Sequence, residues 1–179
     1  MKKENEMSRI TAALAVLTIG SLSMNASAEL VAEFDLGTGS NTSQIMFQFT
    51  NQNQYLYTIR YEGDSTGQEL VEFIAQEQPD YFIPVIESFS FGDALFGLSI
   101  GEDQDAGFGT EPLYLDYWHY WTKESENDVW ENSMVGFGSR VLTDGSMDGW
   151  VFNSNDAPIP APAVIPAILG LGIVRRRRG

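Results

Sequence analysis

The sequence predicts a β-rich α+β fold: one small domain of mostly antiparallel strands with a single main helix. Three observations carry that expectation. Short runs rich in aromatic and β-branched residues recur from Leu30 to Phe152, clusters of Gly, Asn, Ser and Thr separate them, and a single stretch shows helical spacing. All 22 aromatic residues lie between Phe34 and Phe152, which marks this middle part as the segment able to build a core.

Taken in order, strands are expected at Leu30–Leu36, Gln44–Thr50, Gln54–Tyr61, Tyr81–Phe91, Leu95–Ile100, Leu113–Thr122, Met134–Phe137 and Trp150–Phe152. Turns are expected at Gly37–Ser43, Gly63–Gly67, Gly101–Thr110 and Thr143–Gly149. Gln54–Tyr61 alternates cleanly and places Tyr55, Tyr57 and Ile59 on one face. The helix is expected over Gln68–Gln78, where Leu70, Val71, Ile74 and Ala75 recur at helical spacing. Thr66 stands three residues before Glu69, the arrangement of a capping box.

Composition narrows the possible chemistry. The chain has no cysteine, which excludes disulfides, thiolate metal sites and thiol catalysis. Between Glu29 and Asp156 there are 23 acidic residues against Arg60, Lys123 and Arg140, a formal charge of −20. Nucleic acid is therefore not an expected partner, because phosphate binding needs clustered Lys and Arg. Neutral or cationic ligands are compatible with such a surface.

The two ends differ from the middle. Lys2, Lys3 and Arg9 precede an uncharged apolar run, Ile10–Met24, and Ala26-Ser27-Ala28 follows with small residues at the positions a signal peptidase reads. Residues 1–28 are thus expected to be a signal peptide cut after Ala28. The apolar run is shorter than the roughly 20 residues a spanning helix needs. At the other end, residues 157–174 carry no charge, and the chain closes on Arg175, Arg176, Arg177 and Arg178 before Gly179. Such a segment spans roughly 27 Å as a helix, against about 30 Å of hydrocarbon. Pro158, Pro160, Pro162 and Pro166 restrict regular helix to the part from Pro166 onward. A terminal Arg block holds the end on the cytoplasmic side.

Pro-Ile-Pro-Ala-Pro at 158–162, a short apolar run (AILGLGIV) and the Arg cluster together resemble the PEP-CTERM sorting signal. In that family an exosortase of Gram-negative, exopolysaccharide-producing bacteria recognises and cuts the tail, and the ectodomain is released or attached outside. The chain departs from the pattern at Ala161, which replaces the Glu of Pro-Glu-Pro. The resemblance divides the chain into a signal peptide (1–28), an acidic ectodomain (29–156) and a sorting tail (157–179). It implies transient membrane association through the tail, then an extracellular or outer-envelope location, with signal peptidase and an exosortase as processing partners. An uncut C-terminal anchor is the alternative.

A second resemblance covers roughly residues 44–153. A strand ending in Tyr61, a Thr-led amphipathic helix, the segment from Phe91-Gly92 to Ile100-Gly101, the aromatic YWHYW and the closing GSRVLTDGSMDGWVF are similar to the β-grasp-type C-terminal domain of transcobalamins. It implies a β-grasp-like fold. The ligand does not follow, since the helical domain that supplies much of the cobalamin site has no counterpart here.

Several residues are candidates for a site. The expected strand Leu113–Thr122 puts Tyr117, His119 and Trp121 on one face and Tyr114, Asp116, Trp118 and Tyr120 on the other. Both faces are aromatic, so one packs in the core and the other is either covered or open as a stacking platform. Trp118, Tyr120, Trp121, Trp130 and Trp150 are the binding candidates on this reading. His119, the only histidine, sits among large aromatics, where a packed imidazole is expected more than a catalytic one. Gly107-Phe108-Gly109 and Gly136-Phe137-Gly138 lack the further residues of dinucleotide or phosphate loops.

Glu102, Asp103, Asp105 and Glu111 crowd one loop region, and Asp144, Asp148 and Asp156 another. Asp103, Asp105 and Glu111 are weak calcium candidates, but the EF-hand template fails because Gly107 and Tyr114 fall at two of its ligand positions. Paired carboxylates could serve a glycan hydrolase, although spacing alone shows no pair. No catalytic residue and no cofactor are expected. The expected function is a non-enzymatic exported surface or matrix protein that contacts polysaccharide through aromatic residues; the alternatives are a corrinoid-like small-molecule module and a carboxylate hydrolase. Intact-mass analysis of the exported protein should place its N-terminus at Glu29, and retention of residues 1–28 would reject the signal peptide.

Overall fold

The structure, a computed structural model, describes residues 28–159. It is a β-rich α+β domain with two mostly antiparallel sheets and one helix. In chain order the elements are β1 (Glu29–Gly37), β2 (Asn41–Gln48), β3 (Asn53–Tyr61), α1 (Gly67–Glu77), β4 (Phe82–Phe89), β5 (Gly92–Ile100), β6 (Asp103–Ala106), β7 (Trp118–Lys123), β8 (Glu131–Asn132) and β9 (Met147–Phe152). The larger sheet runs β1-β3-β2-β9-β7-β8, and the smaller runs β4-β5-β6. Two pairs in the larger sheet, β1 with β3 and β2 with β9, are parallel.

The alternation of β2 and β3 decides where the core lies. Ile45 and Phe47 on β2, with Tyr55, Tyr57 and Ile59 on β3, all turn to one face and are buried. Leu70, Val71 and Ile74 of α1 pack into the same cluster, as do Phe82 of β4 and Leu95, Leu98 and Ile100 of β5. Helix and small sheet thus cover one face of the large sheet. The interior is held largely by rings: Phe47 meets Phe82 at 5.3 Å and Trp118 at 6.4 Å, and Phe49 meets Trp118 edge-on at 5.2 Å. The Trp118 indole N–H also reaches the Asp105 carbonyl at 3.4 Å, tying β7 to β6.

The helix begins as its sequence requires. Thr66 is the N-cap, its backbone N–H donating to Glu69 Oε2 at 2.8 Å while Glu69 N–H donates to Thr66 Oγ1 at 3.2 Å. The next two helix donors, Gly67 N–H and Gln68 N–H, find the carbonyls of Arg140 and Phe137.

Three expected elements come out differently. β7 begins only at Trp118, because Leu113–Tyr117 form a loop in which Tyr114 has φ of +53° and Asp116 accepts from the backbone and hydroxyl of Thr110. Met134–Phe137 is a turn rather than a strand, and the short β8 lies just before it. β6, within the expected turn at Gly101–Thr110, forms because Asp103 and Asp105 are anchored to the β2–β3 turn. Asp103 accepts from Asn51 Nδ2, Asn53 Nδ2 and Tyr55 OH at 2.7, 2.8 and 2.7 Å, and Asp105 from Thr50 N–H at 2.8 Å.

Among the described residues no helix is long and apolar enough to cross a membrane. The expected signal segment up to Ser27, the tail prolines Pro160 and Pro162, the helix expected from Pro166 and Arg175–Arg178 lie outside the described residues. Ala28 and Pro158 lie within them. Because Trp118 packs through three ring contacts, with Phe47, Phe49 and Phe152, and ties the two sheets through one hydrogen bond, Trp118→Ala should destabilise the domain by about 3–5 kcal/mol. Urea unfolding followed by circular dichroism measures this, and a loss below about 1 kcal/mol would contradict the packing role.

Candidate functional cleft

The five aromatic candidates do not form one surface. Trp118 and Trp150 are each 4% exposed and belong to the core. Tyr120 stacks on Trp150 with centroids 4.3 Å apart and is half-buried. Trp121 is on the opposite face of β7, partly buried, with its indole N–H buried and unpartnered. Trp130 is on that opposite face as well, resting on Gly149, with the Lys123 ammonium 4.9 Å from its ring centre. His119 is buried, stacks on Tyr117 at 3.8 Å and directs Nε2 to the Leu115 carbonyl at 3.2 Å. A carbonyl only accepts, so Nε2 carries the hydrogen. Burial pushes the imidazole pKa down, although the Leu115 bond opposes this, so the ring stays neutral at pH 7.

A cleft opens where β7 lacks a neighbouring strand. β8 pairs only with Trp121 and Thr122, which leaves the first half of β7 facing β5 of the small sheet. The opening, about 280 Å³, is walled by Asp93–Leu95 of β5, Tyr117–Tyr120, Trp150 and the segment from Asn132 to Phe137. At its mouth stand Phe91 and Phe108. Phe91 is 70% exposed, and with Phe89 it forms a stack of near-parallel rings that Phe108 completes. Phe89 lies 5.1 Å from Phe91 and 4.5 Å from Phe108, with interplanar angles of 4° and 10°. Solvent-facing phenylalanines held parallel present flat apolar area next to polar groups, a recurrent feature of ligand sites.

Beside the polar atoms of Tyr117, His119 and Tyr120, the cleft holds Asp93, Asn132 and Ser133. Asp93 accepts from Ser88 Oγ at 2.6 Å and Gln68 Nε2 at 3.0 Å, and these bonds hold its carboxyl below the usual range and keep it ionised. Sequence reasoning missed this site because its mouth comes from two separate loops, after β4 and after β6. The one signal available was Phe89-Ser90-Phe91, two aromatics in a polar turn.

Behind the cleft lies a buried carboxylate. Asp148 is 1% exposed, and burial pushes its pKa up to about 6, although the hydrogen bond from Tyr120 and the charge of Arg140 pull the other way. Tyr120 OH donates to Asp148 Oδ2 at 2.5 Å, and Arg140 Nε stands 3.6 Å from Oδ1, beyond hydrogen-bond reach. Arg140 Nη1 donates to Glu124 Oε1 at 2.6 Å. Gly67 at the helix start is required here, since a Cβ would come within 2.8 Å of Asp148 Oδ2 and 3.0 Å of Tyr120 OH.

Five of the acidic candidates, Asp103, Asp105, Glu111, Asp144 and Asp148, serve as hydrogen-bond acceptors. Asp103 is held below its usual range: burial raises its pKa, but the bonds from Tyr55, Asn53 and Asn51 outweigh it. Asp144 accepts from Thr42 N–H and Glu111 from Tyr114 OH, both at 2.8 Å. Among the described residues no group of three or more His, Cys, Asp or Glu gathers as metal ligands. Comparison of the chain with known protein families, curated proteins and solved structures finds no match.

The two kinds of shift oppose one another with pH. Asp148, raised in the fold, contributes most stability below about pH 4 and loses it as pH rises through about 6. Asp93, Asp103 and Asp116, lowered in the fold, contribute stability above about pH 4 and lose it as pH falls further. Tm should therefore rise by roughly 5 °C from pH 7 to pH 5 and drop below pH 4. Asp148→Asn should flatten the upper limb in a calorimetric pH series, and an unchanged limb would exclude Asp148 as its source.

Proposed function

We propose that this chain is a non-enzymatic exported protein of the cell surface or extracellular matrix, carried out by its signal peptide and sorted through its PEP-CTERM-like tail by an exosortase-type system, and that it contacts neutral or cationic polysaccharide at the cleft. The observation that carries the binding half is the parallel stack of Phe89, Phe91 and Phe108 at the mouth of a cleft holding Asp93, Asn132 and Ser133. Apolar ring faces suit the C–H faces of a sugar, and carboxylate, amide and hydroxyl groups suit its hydroxyls. A volume near 280 Å³ is at the small end for ligand sites and suits one or two units of a chain. The formal charge of −20 disfavours acidic polymers. Binding is preferred to hydrolysis because a glycosidase needs two facing carboxylates, and of the cleft's described lining residues Asp93 alone is acidic.

The β-grasp-like reading is supported by the β2–β3 hairpin followed by α1 and by the last strand, β9, lying parallel beside β2. A small planar molecule in the cleft is the second reading, favoured by Tyr120 and Trp150 stacked in its wall; the space is much smaller than a corrinoid macrocycle.

Affinity electrophoresis of the protein in neutral and in amino-sugar polysaccharides should show retardation that Phe91→Ala and Phe108→Ala each reduce at least tenfold in affinity, equivalent to about 1.4 kcal/mol. Retardation equal in wild type and both variants would remove the cleft from the reading. Tryptophan quenching by a small planar ligand without polysaccharide retardation would favour the second.

A further inference from the structure

Residues 157–159 return over the outer face of the large sheet, the face opposite the core. Gln48 on β2 and Gln54 on β3 project there as register partners across the hairpin. Both are buried, Gln54 completely. Gln54 Nε2 donates to Gln48 Oε1 at 2.7 Å, and Gln48 Nε2 donates to Gln52 Oε1 at 3.0 Å. Two further bonds of the pair go to Ile159, while Gln54 Oε1 is buried without a partner. Gln48 Oε1 accepts its backbone N–H at 3.0 Å, and Gln54 Nε2 donates to its carbonyl.

Both main-chain polar groups of one residue are therefore met by two buried side-chain amides, much as an added strand would be met by a sheet edge. One residue earlier, Pro158 is buried on Gly149. A Cβ at position 149 would approach the Pro158 ring to 2.6 Å and the Trp130 ring to 3.1 Å, so glycine is what lets proline and indole share that spot. Without this segment Gln48 Oε1 and Gln54 Nε2 would lose partners in a buried place.

We propose that Pro158 and Ile159 belong to the folded domain as a strap, and that processing of the C-terminal tail breaks a peptide bond beyond Ile159, so that the mature protein keeps both. The processing half rests on the sorting function proposed above. Pro158 is the first proline of the tail motif, yet in the folded chain its ring is covered and its neighbour is hydrogen-bonded on both sides. A processing enzyme that needs accessible backbone does not find it at Pro158 and Ile159. Its attack transfers the acyl carbon of the broken bond to water or to an acceptor amine, and the tail leaves with a free amine.

Limited proteolysis of the full chain with proteinase K, read by mass spectrometry, tests the strap. Wild-type trimming from the C-terminal side should halt at or beyond Ile159. Gln54→Leu and Gly149→Val should lose residues 155–159 roughly tenfold faster while keeping a cooperative thermal transition. Should Gly149→Val fail to fold, Gln54→Leu decides alone. Wild-type trimming past Pro158 at the variants' rate overturns the strap. The mass of protein recovered outside the producing cells tests the processing step: a C-terminus at Ile159 or later, with the Arg block gone, is expected. A terminus at or before Pro158 overturns the proposal, and recovery with Arg175–Arg178 intact overturns the processing step and the sorting function together, leaving the strap to the protease result.

Discussion

Asp148 carries a carboxylate out of water at the meeting point of four segments: the start of α1 at Gly67, Tyr120 on β7, its own strand β9, and the loop that bears Arg140. A buried carboxylate is tolerated only where donors and positive charge surround it. Tyr120 supplies the hydrogen bond, Arg140 the charge, and the helix N-terminus its partial positive end. Because the same loop offers its Phe137 and Arg140 carbonyls to the first helix donors, helix, loop and sheet are fixed relative to one another around one acid.

That constraint shapes the cleft. With its hydroxyl tied to Asp148 and its ring on Trp150, Tyr120 forms a rigid wall, and Phe137 meets Trp150 edge-on at 5.3 Å behind it. The segment 132–137 lines the cleft opposite Asp93–Leu95 of β5. In a chain with 23 acids and three bases in its folded part, the bases are all engaged. Arg60 pairs with Asp35, Arg140 with Glu124 and Asp148, and Lys123 lies over Trp130 while donating to the Glu126 carbonyl. The free surface is left acidic, which is the electrostatic basis for expecting neutral or cationic ligands.

Much of the architecture was legible from local pattern. The alternation of Tyr55, Tyr57 and Ile59 and the Thr66–Glu69 capping box are short-range signals, and each appears where expected. The extent of β7 was not legible, because an aromatic run reads as strand whether or not a partner is there, and Leu113–Tyr117 have Asp116 folding back onto Thr110 instead. β6 was hidden for the converse reason. Its four residues pair with β5, and Asn51, Asn53, Tyr55 and Thr50, about fifty positions earlier, anchor its two aspartates.

The candidate site divides along the same line. By itself the sequence determined that aromatic residues are concentrated in one acidic, cysteine-free segment between two dissimilar ends, since composition and period need no partners to be read. Which rings are open was a tertiary decision. Trp118 and Trp150 are covered because β7 and β9 turn them under the small sheet and the loop around Phe137, whereas Phe89 at the end of β4 and Phe91 and Phe108 from two separate loops meet at its rim. Likewise, nothing local marks Pro158 and Ile159 as different from the prolines that follow. Only the buried amides of Gln48 and Gln54 and the bare backbone of Gly149, brought together across the sheet, assign them to the domain.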